Sequence, residues 1–423
     1  MRSDRSLNVL IMTPIFPLPL MSGGQVRLFN IIKRLSEYCR VSLLSLVDSQ
    51  QAHQIVHLSP YCTRLETVEA TVFPSTFKRW LHALSPAEIL RTAKRLVFLG
   101  RGIPFQVCRF YHREMEQRLK RMLVEQQFDV IEGVYPQMAP YLLTARKVAP
   151  RAKFILEEID LSFISKEREK PTKSGMNQWL ASLEHDRMRR YSANLWPLFD
   201  RVIAMSETDR DSLLSLMPTA KVSVVPNGVD TEFFVPPAKQ GSPDRLKVAF
   251  LGGSQHYPNV DAMKFFATQI APRIRCSQSD FVFKIIGAFD GRLIPQLPFP
   301  TEFTGYVEDM RPHLCECSLL IVPLRIGGGT RLKILEAMSL GVPVLTTTIG
   351  CEGIEAVSGR DVIIVDDPQA FADQITAILA DGRLRERLSR YGRQLVEQRY
   401  SWPEIVESLV QVYQEVCCSG VVG

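Results

Sequence analysis

Short apolar runs alternate with longer amphipathic stretches along the first half of this chain. Between the first two runs, residues 25–38 place Val26, Phe29, Ile32 and Leu35 on one face of a predicted helix. Apolar runs bounded by polar or breaker residues are typical of buried parallel strands. Their alternation with helices predicts a doubly wound parallel sheet with right-handed crossovers. The predicted strands are residues 7–13, 40–46, 128–131, 153–156 and 201–204.

A second series of the same kind follows a seam at residues 225–230 and a polar, breaker-rich linker at 236–243. The pattern predicts two doubly wound α/β domains, 1–225 and 226–401. Two such sheets facing each other leave a cleft at their carboxyl edges, where open α/β sheets bind ligands. The strands predicted in the second series are residues 247–251, 281–286, 318–322, 342–345 and 362–365, and its helices include 367–380, 383–399 and 402–416.

A glycine-rich loop precedes one helix of the second series. Gly327, Gly328 and Gly329 leave backbone N–H groups uncovered, so an anion can approach the main chain. Thr330 is expected to be the N-cap of the following helix, whose positive end faces the same place. This arrangement predicts a phosphate site, although a loop that serves only as a tight turn is the alternative. The absence of Gly-Lys-Ser/Thr distinguishes the loop from a Walker motif.

Charged residues follow the glycine loop directly. Arg331 and Lys333 add full positive charges near the expected phosphate site. Glu336 lies one turn deeper on the Lys333 face, where a carboxylate accepts hydrogen bonds from sugar or ribose hydroxyls. The alternative for Glu336 is a helix-surface carboxylate paired with Lys333.

Composition and length fit an ordinary globular protein with two domains. At 423 residues, with 46% apolar and 23% charged residues, the chain is too long for one ordinary core and too apolar for a disordered segment. Nine cysteines without regular spacing argue against a disulfide framework and for a reducing compartment. No window offers the ~20 apolar residues that span a bilayer. We therefore expect a cytoplasmic protein, docked at most on the inner face of the plasma membrane.

The positive charge is concentrated in one region. Residues 78–125 contain eleven Lys/Arg against four Glu, an excess of seven, with aromatic residues interleaved. This region is either a solvated helical face or a patch that binds an anionic membrane surface, where each basic residue contributes roughly 1 kcal/mol. A nucleic-acid partner is not expected.

Several segments resemble the retaining GT-B glycosyltransferases of family 4, particularly the bacterial subgroup that builds surface and exopolysaccharides. They are residues 204–208, 225–230, 250–262, 305–312, 400–402 and the glycine block 327–344. The resemblance implies two Rossmann-like domains, with the nucleotide-sugar donor held mostly by the C-terminal one and the acceptor by the N-terminal one. It also implies that a final helix, 402–417, crosses back to the first domain. The implied reaction is hexosyl transfer from a nucleotide-diphosphate sugar to a glycan or lipid-linked acceptor, without a cofactor.

The chain departs from that family at two places. Many members carry two glutamates eight positions apart; Glu336 matches the second, but the first falls on Gly328. Many also place Arg and Lys after the first strand of the C-terminal domain, where residues 252–258 have neither. We therefore expect Arg331 and Lys333 to supply the missing cations. Since a helix terminus contributes only ~0.3–1 kcal/mol, a diphosphate needs such compensation.

Further donor-side and acceptor-side candidates are weaker. Gly23 and Gly24, with Arg27 nearby, either admit a ligand to the backbone or form a strand-to-helix turn. Asn227 either lines the cleft mouth or belongs to an ordinary Asn-Gly turn, and Asp160 is either an acceptor-side group or a helix cap. Candidates on the donor side after residue 251 are Gly252, Ser254 and Asn259.

Metal binding and two rival functions complete the sequence interpretation. Asp209 and Asp211 resemble a metal-binding Asp-X-Asp pair but lie in a predicted helix, where residues two apart diverge. No essential metal is expected. The rivals to a glycosyltransferase are a nucleotide-sugar epimerase of the same fold and a non-catalytic nucleotide-binding protein, the latter because Gly328 replaces a glutamate.

Overall fold

The computed structural model divides into two compact units, Met1–Val225 with Val406–Gly423, and Pro226–Ile405. Most of the predicted linker lies outside the described residues, as does the part of the basic region before residue 102. The structure describes residues 6–70, 102–161, 175–237, 246–275 and 281–419.

The first unit contains a seven-stranded sheet in which every neighbouring pair is parallel. The strand order is β3-β2-β1-β4-β5-β6-β7. The strands are β1 Asn8–Thr13, β2 Arg40–Val47, β3 Arg64–Glu69, β4 Val130–Val134, β5 Lys153–Glu158, β6 Arg201–Ala204 and β7 Val222–Val224. This is the doubly wound parallel sheet that the sequence predicts.

Helices connect these strands, and the first differs from its prediction. It begins at Gly23, because the Ser22 side chain accepts from the backbone N–H of Gln25 and caps it, and it ends at Leu35 rather than at 38. Gly23 and Gly24 are therefore inside the helix, not in a turn before it. The α-helices described in this unit are α1 Gly23–Leu35, α2 Ile55–Leu58, α3 Phe105–Cys108, α4 Arg113–Glu125, α5 Ala139–Val148, α6 Gly175–Leu195 and α7 Glu207–Leu216.

The second unit contains a six-stranded parallel sheet in the order β10-β9-β8-β11-β12-β13. Its strands are β8 Leu246–Leu251, β9 Phe281–Ile286, β10 Thr301–Phe303, β11 Leu319–Val322, β12 Val344–Thr346 and β13 Ile363–Ile364. Its helices are α8 Tyr257–Phe265, α9 Arg311–Cys315, α10 Leu332–Ser339, α11 Pro368–Ala380 and α12 Gly382–Arg399.

Each sheet buries its own hydrophobic core. In the first unit, Leu10, Ile131 and Leu156 of neighbouring strands belong to one buried cluster. In the second, Phe250 and Ile321 belong to another. The strand order reverses between β1 and β4 in the first sheet and between β8 and β11 in the second. Open α/β sheets bind ligands outside the carboxyl ends of the strands at such reversals.

The last helix, α13 Trp402–Cys418, begins in the second unit, and its residues from Val406 onward belong to the first. There Tyr413, which is fully buried, donates a hydrogen bond from its phenol to the Glu132 carboxylate on β4. No helix in the described part of the chain is both long and apolar enough to cross a membrane.

Candidate functional site

The glycine loop lies between β11 and α10, at the reversal point of the second sheet. Gly327 and Gly329 have φ values of 128° and 71°, which glycine adopts without strain. Within the described residues, the backbone N–H groups of Gly328, Gly329 and Thr330 have no hydrogen-bond acceptor. Adjacent unoccupied N–H groups in such a turn form an anion-binding concavity. The loop thus has the features of a phosphate site.

Thr330 does not cap the helix, so that prediction is wrong. Helix α10 begins at Leu332, and Arg331 occupies the N-cap position without a side-chain capping bond. The Thr330 hydroxyl is instead buried with no hydrogen-bond partner among the described residues. The helix begins late because Arg331 has a non-helical ψ of 89°.

The Arg331 side chain turns back beneath the glycine loop. Its Nη1 donates to the carbonyl oxygens of Gly328 and Gly329, and the residue is only 9% exposed. Because the guanidinium binds two backbone carbonyl oxygens of the loop, it does not compete for the backbone N–H groups of the loop. In this structure Nη1 of Arg331 therefore shapes the loop, and a contact between Arg331 and a diphosphate stays a prediction.

Lys333 connects α10 to the end of β8. Its Nζ donates to the Leu251 carbonyl oxygen and, at 3.0 Å, to Asn259 Oδ1, and it lies 5.2 Å from the centre of the Phe250 ring. Burial lowers the pKa of Lys333 to about 8; the Arg331 charge acts in the same direction and Glu336 opposes it. These bonds leave one ammonium N–H without an acceptor among the described residues.

Asn259 holds the loop after β8. Its Nδ2 donates to the Gly253 carbonyl oxygen at 3.0 Å, while its Oδ1 accepts from Lys333. A Cβ on Gly252 would lie 2.6 Å from that Nδ2, so only glycine fits against this carboxamide. Asn259 is 7% exposed. It acts as an internal brace, whereas the sequence predicted a ligand contact.

Ser254 is also engaged within its loop. Its backbone N–H donates to the Ala288 carbonyl oxygen at 3.0 Å, and its hydroxyl accepts from the Asp290 N–H at 3.3 Å. These bonds join the loops that follow β8 and β9. Both bonds are internal to the protein, and a contact between Ser254 and the nucleotide-sugar donor stays a prediction.

Glu336 has the environment expected of a ligand-binding carboxylate. It is half-buried, and no ion pair with Lys333 is found in the described part of the chain. Burial raises the pKa of Glu336 to about 7, and the Lys333 charge opposes that shift. A perturbed carboxylate beside an anion-binding loop indicates a functional site.

Arg27 is bonded inside the first unit, which disagrees with its predicted place beside a ligand. Its side chain is fully buried: Nε donates to Glu157 Oε1 at 2.8 Å, and Nη2 donates to the Val225 carbonyl oxygen at 3.0 Å. No local spacing rule predicts this pair, because Arg27 and Glu157 lie 130 positions apart.

Gly24 lies close to Tyr135, the residue that follows β4, and Asn227 is buried. A Cβ on Gly24 would lie 2.1 Å from the phenol oxygen of Tyr135. Asp160 is half-buried after β5, and its charge contributes to raising the pKa of Tyr135 and of Glu158.

Glu157 and Glu158, which are buried carboxylates of the first sheet, were missed as candidates. Glu158 accepts a hydrogen bond from Trp196 Nε1 at 2.8 Å, and burial raises its pKa to about 7. Burial and the neighbouring Glu157 charge raise the pKa of Glu132. Consecutive glutamates at the end of an apolar strand were the available signal. The helical placement of Asp209 is confirmed, in the first turn of α7.

Two family models match the chain. The model described as Glycosyltransferase Family 4 matches residues 21–233, and the model described as Glycosyl transferases group 1 matches residues 245–381.

Curated relatives match parts of the chain. The chain is 26% identical to alpha-maltose-1-phosphate synthase of Mycobacterium tuberculosis (strain ATCC 25618 / H37Rv), over 51% of this chain and 63% of that protein. It is 26% identical to phosphatidyl-myo-inositol mannosyltransferase of the same strain, over 53% and 63%. It is 31% identical to spore coat protein SA of Bacillus subtilis (strain 168), over 19% and 22%. The chain thus spans less than two thirds of the length of these relatives.

Solved structures show the fold over nearly the whole chain. Sucrose-phosphate synthase from Thermosynechococcus elongatus has a TM-score of 0.69 at 16% identity, covering 98% of this chain and all (100%) of that one. HepE of Anabaena in complex with UDP-glucose has a TM-score of 0.60 at 15% identity, covering 96% and 100%. At these identities the likeness establishes the GT-B architecture of two Rossmann-like domains.

Proposed function

The chain belongs to glycosyltransferase family 4, and from this premise we propose that it transfers a sugar from a nucleotide-diphosphate sugar to a glycan or lipid-linked acceptor. The second unit binds the donor and the first unit binds the acceptor. The observation that carries the proposal is the glycine loop at the reversal point of the second sheet, where the N–H groups of Gly328, Gly329 and Thr330 have no acceptor among the described residues. Structures of HepE in complex with UDP and with UDP-glucose support a nucleotide-sugar donor.

The reaction needs a site that accepts growing negative charge. Breaking the bond between the anomeric carbon and the phosphate oxygen gives an oxocarbenium-like transition state and a departing diphosphate. Preorganised N–H groups stabilise such charge because they need no reorganisation during the reaction. We assign this role to the N–H groups of Gly328, Gly329 and Thr330 and to the remaining N–H of Lys333. Arg331 acts through the loop that it holds.

Glu336 is proposed to bind the ribose of the nucleotide. A carboxylate accepts hydrogen bonds from two vicinal hydroxyls, and Glu336 forms no ion pair among the described residues that would compete. Ionisation of Glu336 then accompanies binding of the donor. Asp160 remains a proposed acceptor-side group.

Retention of anomeric configuration, independence from metal and a place in bacterial polysaccharide assembly form the finer part of the proposal. They rest on the family resemblance of the motifs. Proton NMR of the first product formed distinguishes an α from a β linkage, and turnover in EDTA tests the need for a metal.

The acceptor side includes a proposed membrane surface at residues 78–125. In its described part, Arg118 and Lys120 pair with Glu114 and Glu116 along α4, so these cations are partly neutralised. The proposal therefore depends chiefly on residues outside the described ranges. Co-sedimentation with vesicles containing 30% phosphatidylglycerol, compared with neutral vesicles at low and high salt, tests it. Vesicle binding that depends neither on the anionic lipid nor on the salt concentration contradicts it.

A thermal-shift panel tests the donor proposal. UDP, GDP, ADP and their glucose or mannose conjugates are each added to wild type and to Glu336→Gln, since a ligand of the native state raises its stability. We expect one nucleotide diphosphate to raise the melting temperature of wild type, and a smaller shift in the variant. A turnover assay with the donor that binds then separates the alternatives. Release of the nucleotide without an acceptor-linked product indicates a hydrolase, and conversion of the sugar alone indicates an epimerase. Binding without any turnover indicates a non-catalytic protein.

A further inference from the structure

Tyr135 has a backbone conformation that is unusual for its side chain. Its φ is 71° and its ψ is 149°, and among the described residues it is the one non-glycine residue with positive φ. This region of backbone conformations is favourable almost solely for glycine, and residues held there concentrate at functional sites.

The main chain around Tyr135 does not require a tyrosine. Its N–H donates to the Glu157 carbonyl oxygen at 2.8 Å, and its carbonyl oxygen accepts from the Met138 N–H at 3.0 Å. Glycine would make both bonds with less strain. The reason for a tyrosine at this position must therefore lie in its side chain.

The Tyr135 side chain lies where a ligand of the first sheet is expected. The residue directly follows β4, beside the reversal of strand order between β1 and β4, and it is half-buried. Its phenol oxygen forms no hydrogen bond with the described residues. The oxygen occupies the space that a Cβ on Gly24 would take, at 2.1 Å.

Charge around Tyr135 favours a neutral ligand. Burial, then the charges of Glu157 and Asp160, raise the pKa of Tyr135, and Arg27 opposes them. The phenol therefore stays neutral and serves as both donor and acceptor, as a sugar hydroxyl requires. The Asp160 carboxylate disfavours an anionic ligand here.

We propose that Tyr135 is a substrate-contacting residue of the first unit, that its phenol binds a neutral hydroxyl of the acceptor sugar, and that position 24 is glycine to leave room for this phenol. The inference rests on the proposed function, because it assigns one contact of the acceptor. It also gives Gly24 a role different from the phosphate contact expected from sequence.

The test compares Tyr135→Phe, Gly24→Ala and the double variant with wild type. Tyr38→Phe, at an exposed tyrosine in the turn after α1, is the matched control. Saturation-transfer NMR measures binding of methyl α-D-glucopyranoside and methyl α-D-mannopyranoside in the presence of saturating UDP. Calorimetry measures UDP affinity in the same samples.

We expect Tyr135→Phe to weaken binding of at least one glycoside by about three- to tenfold, the loss typical of one hydrogen bond, with UDP affinity unchanged. Gly24→Ala should cause a similar loss in wild type, because its Cβ displaces the phenol, and no further loss in the Phe background. Tyr135→Gly should lose glycoside binding while its melting temperature stays equal or rises, since glycine relieves the backbone.

Glycoside signals that are equal in wild type and Tyr135→Phe overturn the inference. So does an additional loss from Gly24→Ala in the Phe background, or a wild-type protein that binds UDP but neither glycoside. Failure of the proposed function gives a different result, namely no binding of any nucleotide diphosphate by wild type.

Discussion

Lys333 Nζ lies 3.0 Å from Asn259 Oδ1, and this bond connects α10 to α8 at the reversal point of the second sheet. The same carboxamide donates to the Gly253 carbonyl oxygen on its other side. The loop after β8 and the helix after the glycine loop are thus held by one side chain. The position of the Lys333 charge depends on Asn259 as much as on α10.

Replacing Asn259 by Asp should change the pH dependence of nucleotide binding. The new carboxylate favours the charged form of Lys333 and raises its pKa above about 8, so the loss of affinity at alkaline pH moves upward. The lost donor to Gly253 should also weaken UDP binding at pH 7 by about tenfold. Calorimetry between pH 6.5 and 9.5 measures both effects.

Asn194→Asp, at an exposed position on α6, is the control for the added charge. If UDP affinity falls at the same alkaline pH in wild type and in Asn259→Asp, then Lys333 is not the titrating group.

Replacing Glu336 by Gln should stabilise the protein and weaken nucleotide binding. The pKa of Glu336 is raised in the folded state to about 7, so the folded state binds the proton more tightly than the unfolded state does. This contribution to stability is complete below about pH 4.5 and is lost as pH rises to about 7. The Gln variant should therefore melt at a higher temperature than wild type at pH 8, with little difference at pH 5.

UDP affinity of wild type should rise as pH passes through about 7, because the ribose hydroxyls bind the carboxylate form; Glu336→Gln should lack this rise. Glu404→Gln, on the exposed side of α13, is the matched control. Equal UDP affinity of Glu336→Gln and wild type at pH 8 would refute the ribose contact.

Glu158 should give the first unit a similar dependence on pH. Its pKa is raised to about 7, chiefly by burial, so stability should decline between about pH 4.5 and 7. Glu158→Gln keeps an acceptor for Trp196 and should flatten this decline. Tryptophan fluorescence during urea unfolding at pH 5, 6, 7 and 8 measures it, and parallel pH curves for variant and wild type would contradict the assignment.

Replacing Arg27 by Met should destabilise the protein by about 3–5 kcal/mol, because Glu157 is left charged and buried without its partner. The double variant Arg27→Met/Glu157→Leu should recover most of that loss, since it removes both charges. Urea unfolding at pH 7 measures the free energies. UDP affinity should be unchanged in the double variant; a large loss there would restore Arg27 as a phosphate contact.

The sequence was most informative about the interior strands. β6 and β9 match their predicted bounds, because each is a mostly apolar run with buried residues on both faces. The strands that were not predicted, β3, β7 and β10, lie at or near sheet edges. β3 shows why: among its residues only Val68 is buried, so no apolar run marks it.

Within the site, the glycine loop was located from the sequence, but the groups that the Arg331 and Lys333 side chains bind were not. Arg331 binds carbonyls two and three residues before it, whereas Lys333 binds a carbonyl 82 positions away on β8. Periodicity along a helix predicts which face a side chain shares, not which distant carbonyl it meets. Tyr135 was missed for a related reason, because positive φ at a tyrosine leaves no mark in composition or spacing.

The membership of residues 406–423 in the first unit has a consequence for biosynthesis. All strands of the seven-stranded sheet are translated before the second unit. Tyr413, the donor to Glu132, is translated only after the whole second unit. Domains that emerge first generally fold first. Here the domain that is made first is finished last, so a nascent chain stalled before α13 carries the buried carboxyl group of Glu132 without the phenol of Tyr413.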